Sequence, residues 1–250
     1  EGQGRTFDYP SVAIRPLLVE DDLMLHHYIA FYTQLYHDLT GKAPMVSVRM
    51  NTSAASPRFI PRAGLIRRWY DQAVRHGAGA FYFWTRDYPY SDAPGIYDGP
   101  IPGNTDSSVI AQERWRAVLD ALGHLCTHQR FLPPAAEAAI LVPNESALLH
   151  REEWRRLYAA FSACCEAGLH TRFISDRTIA GRGVPTGIKM IVAPALEFLY
   201  PALRGGLERF TAAGGSLLLA QPEVWDEKGD PTQPLVGSMV LESDLFEVFP

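Results

Sequence analysis

Little in the sequence would let cysteine, metal or lipid organise the chain. Its 250 residues include three cysteines, Cys126, Cys164 and Cys165. The last two are neighbours on a predicted helix, where they would not pair comfortably, and neither CxxC nor His/Cys metal spacing occurs. All three read as small apolar core residues in a reducing compartment, which makes a cytoplasmic location the expectation. No apolar run reaches the roughly 18 residues that a bilayer-spanning helix needs, so no membrane partner is expected. An excess of positive charge is also missing. The net charge is −5, the wrong sign for a nucleic-acid surface. There is no G-x-S-x-G elbow, no phosphate-cradling glycine loop and no G-x-C-x-G elbow, which argues against serine hydrolase, nucleotide-binding and active amidotransferase chemistry. His26 and His27 fall on a predicted helix without an H-E-x-x-H pattern, so no zinc site is assigned and no cofactor is expected. No leader peptide is visible. The chain opens on Glu1 and stops at Pro250 without finishing an obvious element, so it reads as a piece of a longer protein.

What is present is an ordinary globular composition, 47% apolar and 20% charged. Short apolar strands alternate with amphipathic helices, the pattern of parallel α/β sheets. In the first half, strands are expected at 12–18, 45–50 and 80–84. Helices are expected from about Asp21 to Asp38, after Pro61 (Leu65, Ile66, Trp69 and Ala73, stopped near Gly77), and from about Ser108 to Cys126, where Trp115, Val118, Leu119, Leu122 and Cys126 form the face. Pro133–Pro134 marks a boundary, dividing the chain into domains 1–132 and 133–250. The second half then restarts with strands at 138–142, 171–174, 190–192 and 216–220 and helices at 152–167 and 200–213, an open doubly wound pattern.

In a parallel α/β barrel the chemistry lies at the carboxyl ends of the strands. Two such ends are polar. Arg49 lies within the strand 45–50, and Asn51, Thr52 and Ser53 follow it. A guanidinium in an apolar strand needs an anionic or hydrogen-bonded partner, either a structural acid on a neighbouring strand or a substrate in a cleft. After Phe81–Phe83 come Trp84, Arg86 and Asp87. An indole offers a flat apolar face to the C–H groups of a sugar ring, although a tryptophan here also fits a core position, and Arg86 with Asp87 also fits a local loop pair. The loop from Thr85 to Asp106, with four prolines and three glycines, is long enough to suggest function. The substrate-binding candidates are therefore Trp84, Arg86, Asp87, Arg49 and Asn51. A glycosidase needs two carboxyl groups across the scissile bond, and no convincing pair stands out. Glu20 fits the entrance of a helix as well as the end of a strand.

Three stretches carry a family resemblance: Arg62-Ala63-Gly64-Leu65-Ile66-Arg67-Arg68-Trp69, then Gln72-Ala73-Val74-Arg75-His76-Gly77-Ala78-Gly79, then Phe81-Tyr82-Phe83-Trp84-Thr85-Arg86. Together they resemble the segment leading from barrel strand 7 into strand 8 of glycoside hydrolase family 42 β-galactosidases. Ala139-Ile140-Leu141-Val142-Pro143, Met190-Ile191-Val192-Ala193-Pro194 and Gly214-Gly215-Ser216-Leu217-Leu218 are similar to the next domain of that family. The likeness covers roughly residues 44–222. It implies the C-terminal part of a (β/α)8 barrel followed by a flavodoxin/class I amidotransferase-like open parallel sheet that serves as a trimerisation domain. It also implies a carbohydrate substrate, galactosides or related sugars, with a retaining mechanism, and a homo-oligomer, a trimer. One departure is plain: the strand matching the one that ends in the nucleophilic Glu is Met45-Val46-Ser47-Val48-Arg49-Met50-Asn51, with no carboxylate. The family's acid/base Glu would lie upstream of this chain. A non-catalytic sugar-binding or oligomerisation module is the alternative, and a flavin binder a remoter one.

Overall fold

In the computed structural model the chain divides into two compact units, residues 1–133 and 134–250. The residues described are 10–14, 26–48, 63–83, 113, 116–121, 123, 134–144, 152–220, 224–226 and 228–240.

The first unit contains β1 (Ser11–Ile14), α1 (Tyr28–Thr40), β2 (Met45–Val48), α2 (Ala63–Arg75) and β3 (Ala80–Phe83). Its sheet runs β1-β2-β3, all parallel, with Ile14 opposite Val48 and Val48 opposite Phe83. One face of this sheet is packed. Val12, Val46, Val48 and Phe81 meet Ile29 of α1 and Ile66, Trp69, Tyr70 and Ala73 of α2 in a single cluster. The α2 residues recur at the three-to-four spacing that puts them on one stripe, and each fully buried aliphatic contributes on the order of 1.5–3 kcal/mol. Residues 116–121 are helical and add Ala117, Val118 and Ala121 to this core. Leu119, expected on the buried face, is 47% exposed. Val118 is buried as expected, Ala117 and Ala121 are buried beside it, and Trp115, Leu122 and Cys126 lie outside the described residues.

Helix α1 begins at Tyr28, not near Asp21, and His26 and His27 form the turn before it. The aromatic stripe Tyr28, Tyr32, Tyr36 therefore starts with the helix, Tyr28 and Tyr32 meeting edge to face at 5.0 Å. The helix runs past Asp38 to Thr40 and ends at Gly41, whose φ of 69° is left-handed and whose N–H reaches the His37 carbonyl at 2.9 Å.

The second unit contains β4 (Ala138–Val142), α3 (Glu152–Glu166), β5 (Thr171–Ser175), α4 (Asp176–Arg182), β6 (Met190–Ala193), α5 (Pro201–Ala212), β7 (Ser216–Leu219) and β8 (Ser238–Val240). All strands are parallel, in the order β5-β4-β6-β7-β8. The first strand of the unit is thus internal, and all five of its residues are buried. Period-two alternation splits the sheet between two layers. Ala139, Leu141, Ile174, Ile191 and Leu217 pack against Ile179 of α4 and Leu203 and Leu207 of α5. Phe173, on the other face, stacks on Phe161 of α3 at 5.5 Å. The sequence patterns leave out α4 and β8. Helix α4 has seven residues, too few to show a period, and β8 has three residues, two of them exposed.

The adjacent helical glycines of α5 predict opposite effects. A Cβ on Gly206 would lie 2.7 Å from Ile179 Cγ2 and 3.0 Å from the Ile179 carbonyl oxygen, whereas a Cβ on Gly205 meets only the flexible end of Arg209 at 3.6 Å. Gly206→Ala should cost about 1–2 kcal/mol, because the helical backbone of α4 cannot yield. Gly205→Ala should add about 0.5–1 kcal/mol through lower unfolded-state entropy. Urea titration of the two variants checks the pair, and equal signs would remove the close α4–α5 contact as the explanation.

Candidate functional site

The parallel register of the first sheet brings β1, β2 and β3 to an end together at Ile14, Val48 and Phe83. This is the edge at which a parallel α/β layer presents its chemistry. Arg49 and Asn51 follow β2 in the chain, and Trp84, Arg86 and Asp87 follow β3. All five lie outside the described residues, so the structure supplies the converging strand ends but not the side chains. The sheet face turned away from the helices carries Ser11, Ala13, Met45, Ser47 and Ala80. Four of these are exposed and mostly small. Ser47 is the exception, 8% exposed, its hydroxyl buried without a hydrogen-bond partner among the described residues. Ala80, expected in a buried aromatic strand, lies on this open face, and the burial of that strand is carried by Phe81 at 9% exposure.

The opposite, amino end of the same sheet is closed by a polar joint between helices. His76 Nδ1 lies 2.6 Å from Gln34 Oε1. That oxygen only accepts, so the ring carries its proton on Nδ1. Burial pushes the His76 pKa down to about 4. His27 and Arg75 lower it further, and Asp38 opposes them. Gly77 follows with φ of 96°, and His37 fills the space where a side chain at Gly77 would stand, with its ring 2.7 Å from that point. The Gln72-Ala73-Val74-Arg75-His76-Gly77 run singled out in the sequence is therefore the last turn of α2 and the turn that leads into β3, before the amino end of that strand.

The second sheet has its own polar group at the carboxyl edge, which the sequence patterns did not single out. Strand β5 ends at Ser175, whose side chain accepts from the Thr178 N–H at 3.1 Å and caps α4. Asp176 is 2% exposed, and its Oδ1 accepts from Asn144 Nδ2 at 2.8 Å and from the Arg177 N–H at 2.6 Å. Asn144 follows β4, so this contact ties together the outgoing chains of two neighbouring strands. The signal available in the sequence is Ser175-Asp176-Arg177-Thr178 directly after an apolar strand, an N-cap pattern. Among the described residues no group of three or more His, Cys, Asp or Glu side chains could hold a metal ion, and no helix is long and apolar enough to cross a membrane. Burial pushes the Cys165 thiol up to about 12 and raises that of Cys164 as well, so neither is an activated nucleophile.

No family model and no curated protein matches the sequence. Solved structures do match. The cold-adapted β-galactosidase of Rahnella sp. R3 superposes with a TM-score of 0.70 over 93% of this chain, at 18% identity. The chain shares its fold with glycoside hydrolase family 42 β-galactosidases. A GH42 β-galactosidase from G. stearothermophilus gives 0.68 over 92% at 16% identity. An exo-β-1,4-mannosidase from an Opitutaceae bacterium gives 0.63 over 89% at 15% identity. The chain spans 36% and 35% of the length of the two β-galactosidases and 41% of the mannosidase. At these identities the likeness concerns architecture, and it extends through both units in chain order.

Proposed function

We propose that the chain is the part of a GH42-type glycoside hydrolase that carries the last strands of a (β/α)8 barrel and the following flavodoxin/class I amidotransferase-like trimerisation domain. The protein acts on galactosides or related sugars. The observation that carries this reading is the order of the two units. Three parallel strands covered by helices on one face precede a five-stranded parallel sheet, and a β-galactosidase structure superposes over 93% of the chain. The strand order β5-β4-β6-β7-β8 is second-first-third-fourth-fifth within its unit, the flavodoxin-like order. The uncovered face of the first sheet supports the barrel reading, because parallel sheets are normally covered on both faces. In this reading that face is the barrel interior. The protein assembles as a homo-oligomer, a trimer in line with the resemblance. The two free cysteines of the second unit fit a cytoplasmic location.

Within that frame Trp84 stacks on the sugar ring, while Arg86, Asp87, Arg49 and Asn51 hydrogen-bond its hydroxyls. Retention requires two carboxyl groups about 5–5.5 Å apart, and the segment Met45–Asn51 supplies none. That feature favours the second reading, a protein that binds sugars or organises the oligomer without hydrolysing them. Assaying the full-length protein on nitrophenyl β-galactoside, with calorimetry on galactose, decides between the two. If Trp84 and Arg86 line the sugar site, Trp84→Ala and Arg86→Ala should each weaken galactoside binding roughly tenfold. Unchanged affinity in both would remove the site, and binding without turnover would select the non-catalytic reading.

A further inference from the structure

The first two turns of α5 and the turn that follows β7 enclose an open cleft of about 600 Å3 within the second unit. One wall is a single helical stripe: Pro201, Arg204 and Glu208 stand three and four residues apart on α5. Leu199, 2% exposed, forms an apolar base beside Pro201. The opposite wall carries Asp226, Lys228, Thr232 and Gln233. It is held by the Asp226 N–H to the Asp230 carbonyl at 2.9 Å and by an antiparallel bridge between Trp225 and Pro231.

The polar groups of this cleft fall into two sets. Some are fixed by the protein. Arg204 holds Glu208 Oε1 at 3.1 Å and the Gln233 carbonyl at 2.8 Å, clamping one wall to the other. Asp226 Oδ1 takes the N–H groups of Lys228 and Asp230 at 2.8 and 2.9 Å. The N–H groups of Asp230 and Lys228 hold this carboxyl below the usual carboxylate range, so it is a permanent acceptor near neutral pH. Others make no side-chain hydrogen bond to a described residue: the Lys228 ammonium, which is attracted by the Asp226 carboxylate, the Thr232 hydroxyl and the side-chain amide of Gln233. The lining therefore offers free donors and acceptors together, beside an apolar base. Among the described lining residues the formal charge is balanced, Arg204 and Lys228 against Glu208 and Asp226.

That chemistry selects a ligand. A phosphate or polyanion would face two carboxylates, and a polycation would face two cations. A neutral ligand dense in hydroxyls, with C–H faces to lie on Leu199 and Pro201, satisfies every group, and the volume lies within the range of small-molecule sites. We propose that this cleft is a saccharide-binding subsite of the second unit, taking a neutral mono- or disaccharide through Lys228, Thr232 and Gln233. It draws on residues of the second unit alone and does not depend on hydrolytic activity.

Titration calorimetry on the full chain tests it with lactose, cellobiose and mannobiose, and with inorganic phosphate and glycine as charged comparators. At least one neutral disaccharide should bind. Lys228→Ala with Gln233→Ala, both at the surface, should weaken binding at this cleft roughly tenfold, whereas Trp84→Ala should lower only the galactoside binding assigned to the first unit and leave the binding at the cleft. Absence of binding by all three disaccharides overturns the proposal. So does an affinity indifferent to the double variant, or a preference for phosphate or glycine. Binding abolished by Trp84→Ala and kept in the double variant would also overturn it, while leaving the first-unit site standing.

Discussion

Asp176→Ala is expected to destabilise the second unit by about 3 kcal/mol, more than any other exchange at the carboxyl edge of its sheet. The reason lies in what the carboxylate holds. It is 2% exposed, and a single oxygen, Oδ1, accepts both from Asn144 Nδ2 and from the Arg177 N–H. Removing it leaves two part-buried donors without this acceptor, deletes an acid from the first turn of α4, where the helix dipole favours it, and unties the chain after β4 from the chain after β5. Because both bonds end on one oxygen, Asp176→Asn keeps the geometry and loses only the charge, so its cost should stay within about 1 kcal/mol. Asn144→Ala leaves the buried carboxylate with one N–H fewer and should cost about 2 kcal/mol. Combined with Asp176→Ala it should add little, since the pair shares one interaction. Amide hydrogen exchange reads this most directly. Strands β4 and β5 should lose protection in Asp176→Ala, with α2 of the first unit as the unaffected control. Additive losses in the double variant would show that the two side chains are not coupled.

The extent to which the sequence reveals this architecture depends on how much apolar surface each element buries. Strand β4 and helices α2, α3 and α5 present long apolar stripes, and their expected bounds fall within a residue or two of those observed. Helix α1 shows where the pattern stops. This helix starts at Tyr28 with the aromatic stripe, and the acidic first turn expected at Asp21 and Asp22 lies outside the described residues. Helix α4 owes its existence to the Ser175 cap and a single buried aliphatic, Ile179, features that no periodicity displays. The candidate site divides the same way. That β2 and β3 end together could be anticipated from alternation alone, because alternating strands and helices imply parallel neighbours. The cleft beside α5 could not, since Lys228, Thr232 and Gln233 meet Pro201 and Arg204 only through the path of the chain after β7. The segment Met45–Asn51, which carries no carboxylate, is legible in the sequence and remains the strongest argument for weighing binding against hydrolysis.

The first unit should lose stability as the solution is acidified through a window set by His76. Its imidazole is hydrogen-bonded to Gln34 and held neutral, with a folded pKa of about 4 against 6.5 for the free side chain. The sign follows from proton counts. Between about pH 6.5 and 4 the unfolded chain binds a proton that the folded chain refuses, so stability rises with pH across that interval and falls on acidification. The full penalty is reached below the folded value. It amounts to at most about 3 kcal/mol, since each unit of difference corresponds to about 1.4 kcal/mol. The surrounding charges agree with this direction. His27 and Arg75 repel a protonated ring, and the one opposing acid, Asp38, is shared with His37 at 3.0 Å. His76→Gln keeps a donor for the Gln34 oxygen and removes the titrating group, so its stability should be nearly flat over the same interval while the parent protein declines. Denaturant titrations at pH 7.5, 6, 5 and 4.5, followed by hydrogen exchange in α1 and α2, measure the difference. Parallel declines in the two proteins would place the acid sensitivity elsewhere and leave His76 as a packing residue only.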